Sequence, residues 1–111
     1  MGRIRIEMPE KFVYATRVNV RISDINFGFH VGHDAFVTIL HEARARFFRS
    51  LNYEETNIEG QAIMVADLAV VYKSEAFFPG ALDIQIGAGD FNKYGCDLIY
   101  RATDAESGTL V

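Results

Sequence analysis

One long amphipathic helix, flanked by strand-forming sequence, limits what this chain can fold into. Between Asp34 and Leu51 apolar residues recur every three or four positions, which predicts an α-helix with a single apolar face. Asp34 is placed to act as its N-cap, and Asn52 follows the last periodic residue. The stripe consists of Phe36, Leu40, Ala43, Phe47 and Leu51. A helix that is apolar along one whole face needs a sheet to cover it.

The sequence on both sides of this helix carries strand patterns. A period of two, typical of half-buried strands, occurs at 12–22, 82–87 and 96–101. Residues 63–72 are almost continuously apolar, which predicts a strand buried on both faces. Residues 23–33 read as a glycine-containing loop. This order is an α+β pattern, and its simplest geometry wraps a curved antiparallel sheet around one central helix.

The composition of the chain excludes several classes of protein. The 111 residues fit a single domain spanning 1–111, and the net charge of −4 argues against a nucleic-acid partner. No apolar run approaches the roughly 20 residues of a membrane span, and residues 1–10 are unlike a signal peptide. A single cysteine, Cys96, excludes an intrachain disulfide and a cysteine-based zinc site, and its alternation with Leu98 and Tyr100 places it in the core. We expect a soluble cytoplasmic protein.

The carboxyl end of the sequence is unusual for a sheet protein. Residues 104–108 form a turn pattern, yet only Thr109, Leu110 and Val111 follow it. Strands commonly run about five to six residues, so we expect the C-terminal strand to be incomplete in this chain.

The loop before the helix and the helix itself carry a recognisable pattern. Residues 21–34 read RISDINFGFHVGHD, and residues 41–44 read HEAR. Over roughly residues 18–101 the chain resembles the hotdog-fold acyl-CoA thioesterases, above all the 4-hydroxybenzoyl-CoA thioesterase-like group. The resemblance implies a hotdog fold, an acyl-CoA substrate, and a homodimer or homotetramer. It also implies no metal or redox cofactor, CoA entering only as part of the substrate.

Thioester hydrolysis needs a group that activates water and hydrogen-bond donors where the oxyanion forms. The resemblance places Asp24 and Asn26 on the two acidic positions of the family loop, the second of which carries the catalytic carboxylate in the 4-hydroxybenzoyl-CoA type. Asn26 cannot act as a base near neutral pH, but its amide can hold a water or donate to a carbonyl. Both residues also suit a turn, where such side chains bond the loop backbone.

Three other side chains are candidate bases. His30 matches the family's loop histidine, and His33 falls where some relatives carry a loop histidine. A neutral imidazole acts as a base or donor near physiological pH, although local backbone could equally satisfy either ring. Of the two histidines, His30 is the better candidate. Glu42 is the substitute carboxylate, since some hotdog thioesterases place their base on this helix. Glu42 could equally form an i,i+4 ion pair with Arg46. A metal site is not expected, because no carboxylate or cysteine obviously completes a ligand set with His30, His33 and His41.

The substrate-binding candidates lie around the start of the helix. Backbone amides of Val31, Gly32 and His33 are the expected oxyanion donors, assisted by the helix dipole. Asp67 interrupts the buried strand and needs a partner, for which Arg44 is one candidate. Otherwise Asp67 would face the active-site tunnel from a second subunit.

The sequence therefore predicts an acyl-CoA thioesterase that releases a carboxylate and free CoA. One alternative is a non-catalytic acyl-CoA or acyl-carrier binding module, which the asparagine at position 26 would favour. Another is an enoyl-CoA hydratase or dehydratase of the same fold, with His30 and Asp24 as an acid–base pair.

Overall fold

A computed structural model describes residues 5–53, 65, 67–92 and 95–111 of the chain. Its regular elements are β1 (Tyr14–Asn19), α1 (His33–Ser50), β2 (Ala81–Asn92) and β3 (Gly95–Asp104). Two single 3-10 turns, Ile22–Asp24 and Phe27–Phe29, connect β1 to α1. Among the described residues, no helix is both long and apolar enough to cross a membrane.

The three strands form one antiparallel sheet in the order β1-β2-β3. Tyr14 of β1 lies opposite Ile86 of the central strand, and Leu82 lies opposite Asp104 of β3. The β2–β3 register is regular up to Gly89 and then shifts near the turn. These pairings confirm the three alternating strands expected from the sequence.

The core lies between α1 and one face of this sheet. Alternate residues of β2 point toward the helix, and the most deeply buried are Leu82, Ile84 and Ile86. The buried helix residues are Phe36, Ile39, Leu40, Ala43 and Phe47. Side chains one position away on the strands point to the opposite face, where Arg17 and Asp83 form an exposed ion pair of 2.7 Å. The predicted packing of a sheet against one helix is therefore confirmed.

The helix begins slightly earlier than the sequence suggested. Gly32, not Asp34, is the N-cap. Asp34 lies in the first turn, where its negative charge interacts favourably with the helix dipole. The chain leaves the helix at Leu51, and Asn52 adopts φ +65°. Asparagine tolerates this left-handed conformation better than most residues, which explains the predicted stop.

The apolar segment at 63–72 does not behave as predicted. Its described part, residues 65 and 67–72, forms no strand in this chain, and Val65 and Leu68 are 55% and 56% exposed. Of the described residues in this segment, Val70 and Tyr72 pack partly against the core. Burial on both faces is therefore wrong for the described part of this segment, because its packing against the core leaves Val65 and Leu68 exposed to solvent. The polar connection predicted at 53–60 lies, beyond Tyr53, outside the described residues.

Cys96 is exposed, which corrects its assignment to the core. Burial rises along β3 only from Leu98 onward and is complete at Ala102. Alternation alone therefore identified the strand, but not the part of it that the helix covers.

The predicted turn after β3 is confirmed. The Asp104 carboxylate accepts the backbone N–H groups of Ser107 and Glu106, each at 2.9 Å, and Gly108 donates to the Asp104 carbonyl at 2.8 Å. Leu110 then makes a single bridge to Thr103. The expected incompleteness of the last strand stays a prediction.

Replacing Asp104 with alanine should destabilise the protein at neutral pH more than at pH 3. The N–H groups of Ser107 and Glu106 lower the pKa of the Asp104 carboxyl. Its contribution is therefore complete above the ordinary aspartate pKa and is lost as pH falls through the lower folded-state value. Melting temperatures of the wild type and Asp104→Ala between pH 7 and pH 3 test this. Glu106→Ala, which keeps its backbone donor, is the control, and a difference independent of pH would contradict the prediction.

Candidate active site

The loop between β1 and α1 closes on itself as a small hairpin. Ile25 pairs with Val31, and the Asn26 N–H donates to the His30 carbonyl at 2.8 Å. The hairpin turns at Phe27–Phe29, where Gly28 has φ +80° and Phe29 has φ +64°. This geometry places Asn26 beside His30 and delivers the chain directly into the helix.

Asp24 is the buried anchor of this loop. It is only 4% exposed, and its carboxylate accepts the Arg21 backbone N–H at 2.8 Å and a guanidinium N–H of Arg21 at 3.2 Å. Its carbonyl also accepts the Gly32 N–H at 3.0 Å. These contacts support the structural interpretation of Asp24, which holds both ends of the loop together. The acid–base pair of Asp24 with His30 is not formed.

Asn26, in contrast to the buried Asp24, has an exposed side chain. Its backbone is held in the hairpin, but its side chain is exposed and makes no capping hydrogen bond to the 3-10 turn that follows it. The amide is therefore accessible to a water molecule or a substrate carbonyl. This is the chemistry that an asparagine retains when a carboxylate is replaced.

The His30 ring is partly covered, and its Nδ1 is buried. Its Nδ1 lies 2.7 Å from a Glu75 carboxylate oxygen, and one ring face packs on Phe77 at 4.6 Å between centroids. The short distance makes this an ion-pair contact whenever the imidazole is protonated. Its direction, however, falls outside hydrogen-bond geometry, which leaves the buried Nδ1 without a directed partner. The other edge faces Gly28, where an added Cβ would lie 2.9 Å from Cδ2 and 3.2 Å from Nε2.

The expected oxyanion donors at Val31 and Gly32 require correction. The Val31 N–H donates to the Ala76 carbonyl at 2.8 Å, and the Gly32 N–H donates to the Asp24 carbonyl. Both donors are therefore used inside the fold. The physical reason is that these residues close the loop stem before the helix begins.

The donors without such a partner follow directly, in the first turn of α1. Phe36 is the first residue whose N–H bonds back into the helix start, to the Gly32 carbonyl at 2.9 Å. The N–H groups of His33, Asp34 and Ala35 precede it and have no intrahelical partner. Of the three predicted donors, His33 alone has an N–H group that no carbonyl of the described residues accepts. The helix dipole adds to the attraction of these groups for a developing negative charge.

His33 stands at this helix start with an exposed side chain. Its ring packs against Tyr72 with 4.6 Å between centroids and 31° between planes. The Tyr72 hydroxyl donates to the His33 carbonyl at 3.2 Å. Burial, and then the nearby charge of Asp34, raise the pKa of Tyr72, so its hydroxyl remains a donor at neutral pH.

Glu42 is held elsewhere on the helix. Its carboxylate accepts the Arg46 Nε–H at 2.8 Å, and Arg46 also donates to the Thr16 hydroxyl and the Arg17 carbonyl. Glu42 follows His33 by nine residues, which is about 14 Å along the helix axis. The ion-pair interpretation of Glu42 is confirmed, and this chain does not bring Glu42 to the helix start.

Asp67 lies in the segment at 67–72, and its expected place facing the active-site tunnel from a second subunit stays a prediction. It is exposed, so the burial that would have required a partner is wrong, and the described residues include no ion pair between Asp67 and Arg44. Within the described part of the chain, no three His, Cys, Asp or Glu side chains cluster as a metal site would require.

Sequence reasoning missed Glu75 and the role of Tyr72. Tyr72 ends the apolar run and Glu75 follows it, and both are far along the chain from the helix start and the loop that they contact. The available signal was Tyr72 itself, an amphipathic aromatic at the end of an otherwise aliphatic stretch.

Comparison with known proteins agrees with this architecture. A family model described as the thioesterase-like superfamily matches residues 20–111. The fold is similar to a 1,4-dihydroxy-2-naphthoyl-CoA thioesterase from Synechocystis, with a TM-score of 0.79 and 19% identity over 87% of this chain and 73% of that one. It is also similar to a DHNA-CoA thioesterase from Staphylococcus aureus, with a TM-score of 0.77 and 21% identity over 87% and 66%. Comparison with curated proteins finds no match. The predicted hotdog fold is confirmed.

Proposed function

Because this chain belongs to the thioesterase-like superfamily, we propose that it hydrolyses an acyl-CoA thioester to a carboxylate and free CoA. One observation carries the proposal beyond family membership. The unpaired N–H groups at the start of an 18-residue helix open beside the exposed side chain of His33. The exposed amide of Asn26 lies in the loop that leads into this helix.

The start of α1 polarises the thioester carbonyl. N–H groups of His33, Asp34 and Ala35 point out of the helix and donate to the oxygen that becomes negative in the tetrahedral intermediate. A single donor of this kind is worth about 10²–10³ in rate. Because these donors are backbone groups, the asparagine at position 26 does not weaken them.

His33 is the proposed general base, and His30 is its rival. The His33 side chain is exposed, whereas Glu75, Phe77 and Gly28 cover part of the His30 ring and its Nδ1 is buried. Water attacks the carbonyl carbon as the His33 imidazole takes its proton. The intermediate then collapses, the carbon–sulfur bond breaks, and the imidazolium returns a proton to the CoA thiolate. Glu42 could act only at a different place, about 14 Å along the helix.

Asn26 orients the attacking water in this scheme. Its carbonyl oxygen accepts from the water, and its amide group donates, so it aligns the nucleophile without removing its proton. The measured reaction is free-thiol release from short-chain, long-chain and aromatic acyl-CoA substrates. Turnover well above the buffer rate on any substrate supports the proposal and identifies the acyl class.

Asn26→Ala should lower kcat by about 10- to 100-fold, because a misplaced water loses alignment with the carbonyl. Asn26→Asp should stay within about ten-fold of the wild type, because a carboxylate can also hold the water. Steady-state thiol release measures both variants. Ser23→Ala, an exposed change in the same loop, is the control.

The alternative function is a non-catalytic acyl-CoA or acyl-carrier binding module, favoured by the amide at position 26. It predicts saturable acyl-CoA binding without thiol release, and a large gain of hydrolysis in Asn26→Asp. That pair of results would replace the proposed function. The hydratase or dehydratase alternative loses support because Arg21, not His30, holds the Asp24 carboxylate.

We also propose that the protein acts as a homodimer or homotetramer in the cytoplasm. The exposed apolar side chains of Val65 and Leu68 support association, because a second subunit would cover them. Substrate would then bind between subunits. CoA takes part only as a portion of the substrate, and water and protein side chains supply the remaining chemistry.

A further inference from the structure

Tyr72 connects the core to the exposed His33. On one side its ring packs against buried Phe36, with 5.5 Å between centroids. On the other side it packs against the His33 imidazole at 4.6 Å. Its hydroxyl also donates to the His33 carbonyl at 3.2 Å. One side chain therefore contacts both the ring and the backbone of the same residue.

These contacts restrict a side chain that would otherwise rotate freely. An exposed histidine on a helix samples several rotamers, and only some of them direct a ring nitrogen at a given point. Packing against a ring anchored on Phe36 reduces that freedom, and the hydrogen bond holds the first turn in place. A base held in one orientation removes part of the entropic cost of the reaction.

We infer that Tyr72 is a positioning residue, which fixes the His33 imidazole and the first turn of α1 for catalysis. This inference rests on the proposed function. Tyr72 touches no reacting atom and acts only through His33. Nothing in the sequence pattern relates the two residues, which lie 39 positions apart.

Two substitutions separate the contributions of the ring and the hydroxyl. Tyr72→Leu removes both and should lower kcat about 10- to 100-fold, with KM within about two-fold of the wild type. Tyr72→Phe keeps the ring contact and should lower kcat only a few-fold. Tyr14→Leu is the matched control, because the Tyr14 ring packs on Phe47 at 5.5 Å toward the other end of the helix. It should lower the melting temperature and leave kcat within about two-fold.

A double-mutant cycle tests whether Tyr72 acts through His33. In a His33→Ala background, Tyr72→Leu should lower kcat by no more than the few-fold expected of Tyr72→Phe, because the imidazole is gone and only the hydrogen bond to the backbone carbonyl at position 33 is left to lose. A full additional loss in that background would overturn the inference. So would an equal loss of kcat in Tyr14→Leu, or unchanged hydrolysis in His33→Ala.

Proton NMR of the His33 ring tests the positioning without any activity. The Tyr72 ring should shift the His33 resonances in the wild type and in Tyr72→Phe, and the shift should disappear in Tyr72→Leu. Resonances are assigned by their loss in His33→Ala. If no thioester is hydrolysed but the shift is present, the proposed function fails while the contact stands. If Tyr72→Leu leaves the His33 resonances unchanged, the inference fails whatever the activity.

Discussion

His33→Ala should lower kcat by about 10²–10⁴-fold, the usual contribution of a positioned general base, with KM nearly unchanged. The His33 backbone N–H and the helix dipole survive the substitution, so polarisation of the carbonyl is retained. The expected loss is therefore that of the imidazole alone. Thiol release under saturating acyl-CoA gives kcat, and its dependence on substrate concentration gives KM.

Two other histidines provide the comparison for this result. His41→Ala removes an exposed imidazole from the same helix and should leave kcat within about two-fold. His30→Ala should cost only a few-fold in kcat, mainly by loosening the loop that contacts Glu75 and Phe77. If His30→Ala abolishes hydrolysis while His33→Ala leaves it intact, the base is His30 and the assignment made here is wrong.

Ile84→Ala should lower the free energy of unfolding by about 2–5 kcal/mol. Ile84 is 0% exposed, on the central strand, with Thr16 opposite it on β1 and Ala102 opposite it on β3. Truncating it leaves a cavity between sheet and helix that the neighbouring strands cannot close. Since domains of this kind are stable by about 5–15 kcal/mol, the loss is a large fraction of the total.

Chemical denaturation at pH 7 and fixed protein concentration measures this loss, because association would otherwise add a concentration-dependent contribution. Ile22→Ala is the matched control: Ile22 is 63% exposed, and its truncation should change stability by no more than about 0.5 kcal/mol. Equal effects of the two substitutions would contradict the packing of α1 on this face of the sheet.

The sequence by itself determined the elements of the fold. The spacing of three and four residues around Phe36 and Phe47 predicts α1, and alternation at 82–87 and 96–101 predicts two strands of the sheet. Both patterns are local, since a helix and a strand each impose their own period on the side chains that face a core. The family resemblance is also visible in the sequence, because the loop and the helix start that carry it form one continuous stretch of residues.

Only the tertiary structure decided which groups of the loop are free to do chemistry. Val31 and Gly32 were expected to donate to an oxyanion, yet the Ala76 and Asp24 carbonyls take their N–H groups. Residues of a distant segment partly cover His30, whereas His33 stays exposed and packs against Tyr72. Hydrogen-bond partners and solvent access depend on which distant segments meet, and no local period encodes that.

The apolar segment at 63–72 shows the same limit. Its composition indicates burial, but hydrophobicity has no direction and does not specify which surface will cover a side chain. Within this chain the sheet and helix cover Val70 and Tyr72 in part and leave Val65 and Leu68 exposed. The sequence thus determines that a segment is apolar, whereas the packing of the whole molecule decides where that apolar surface lies.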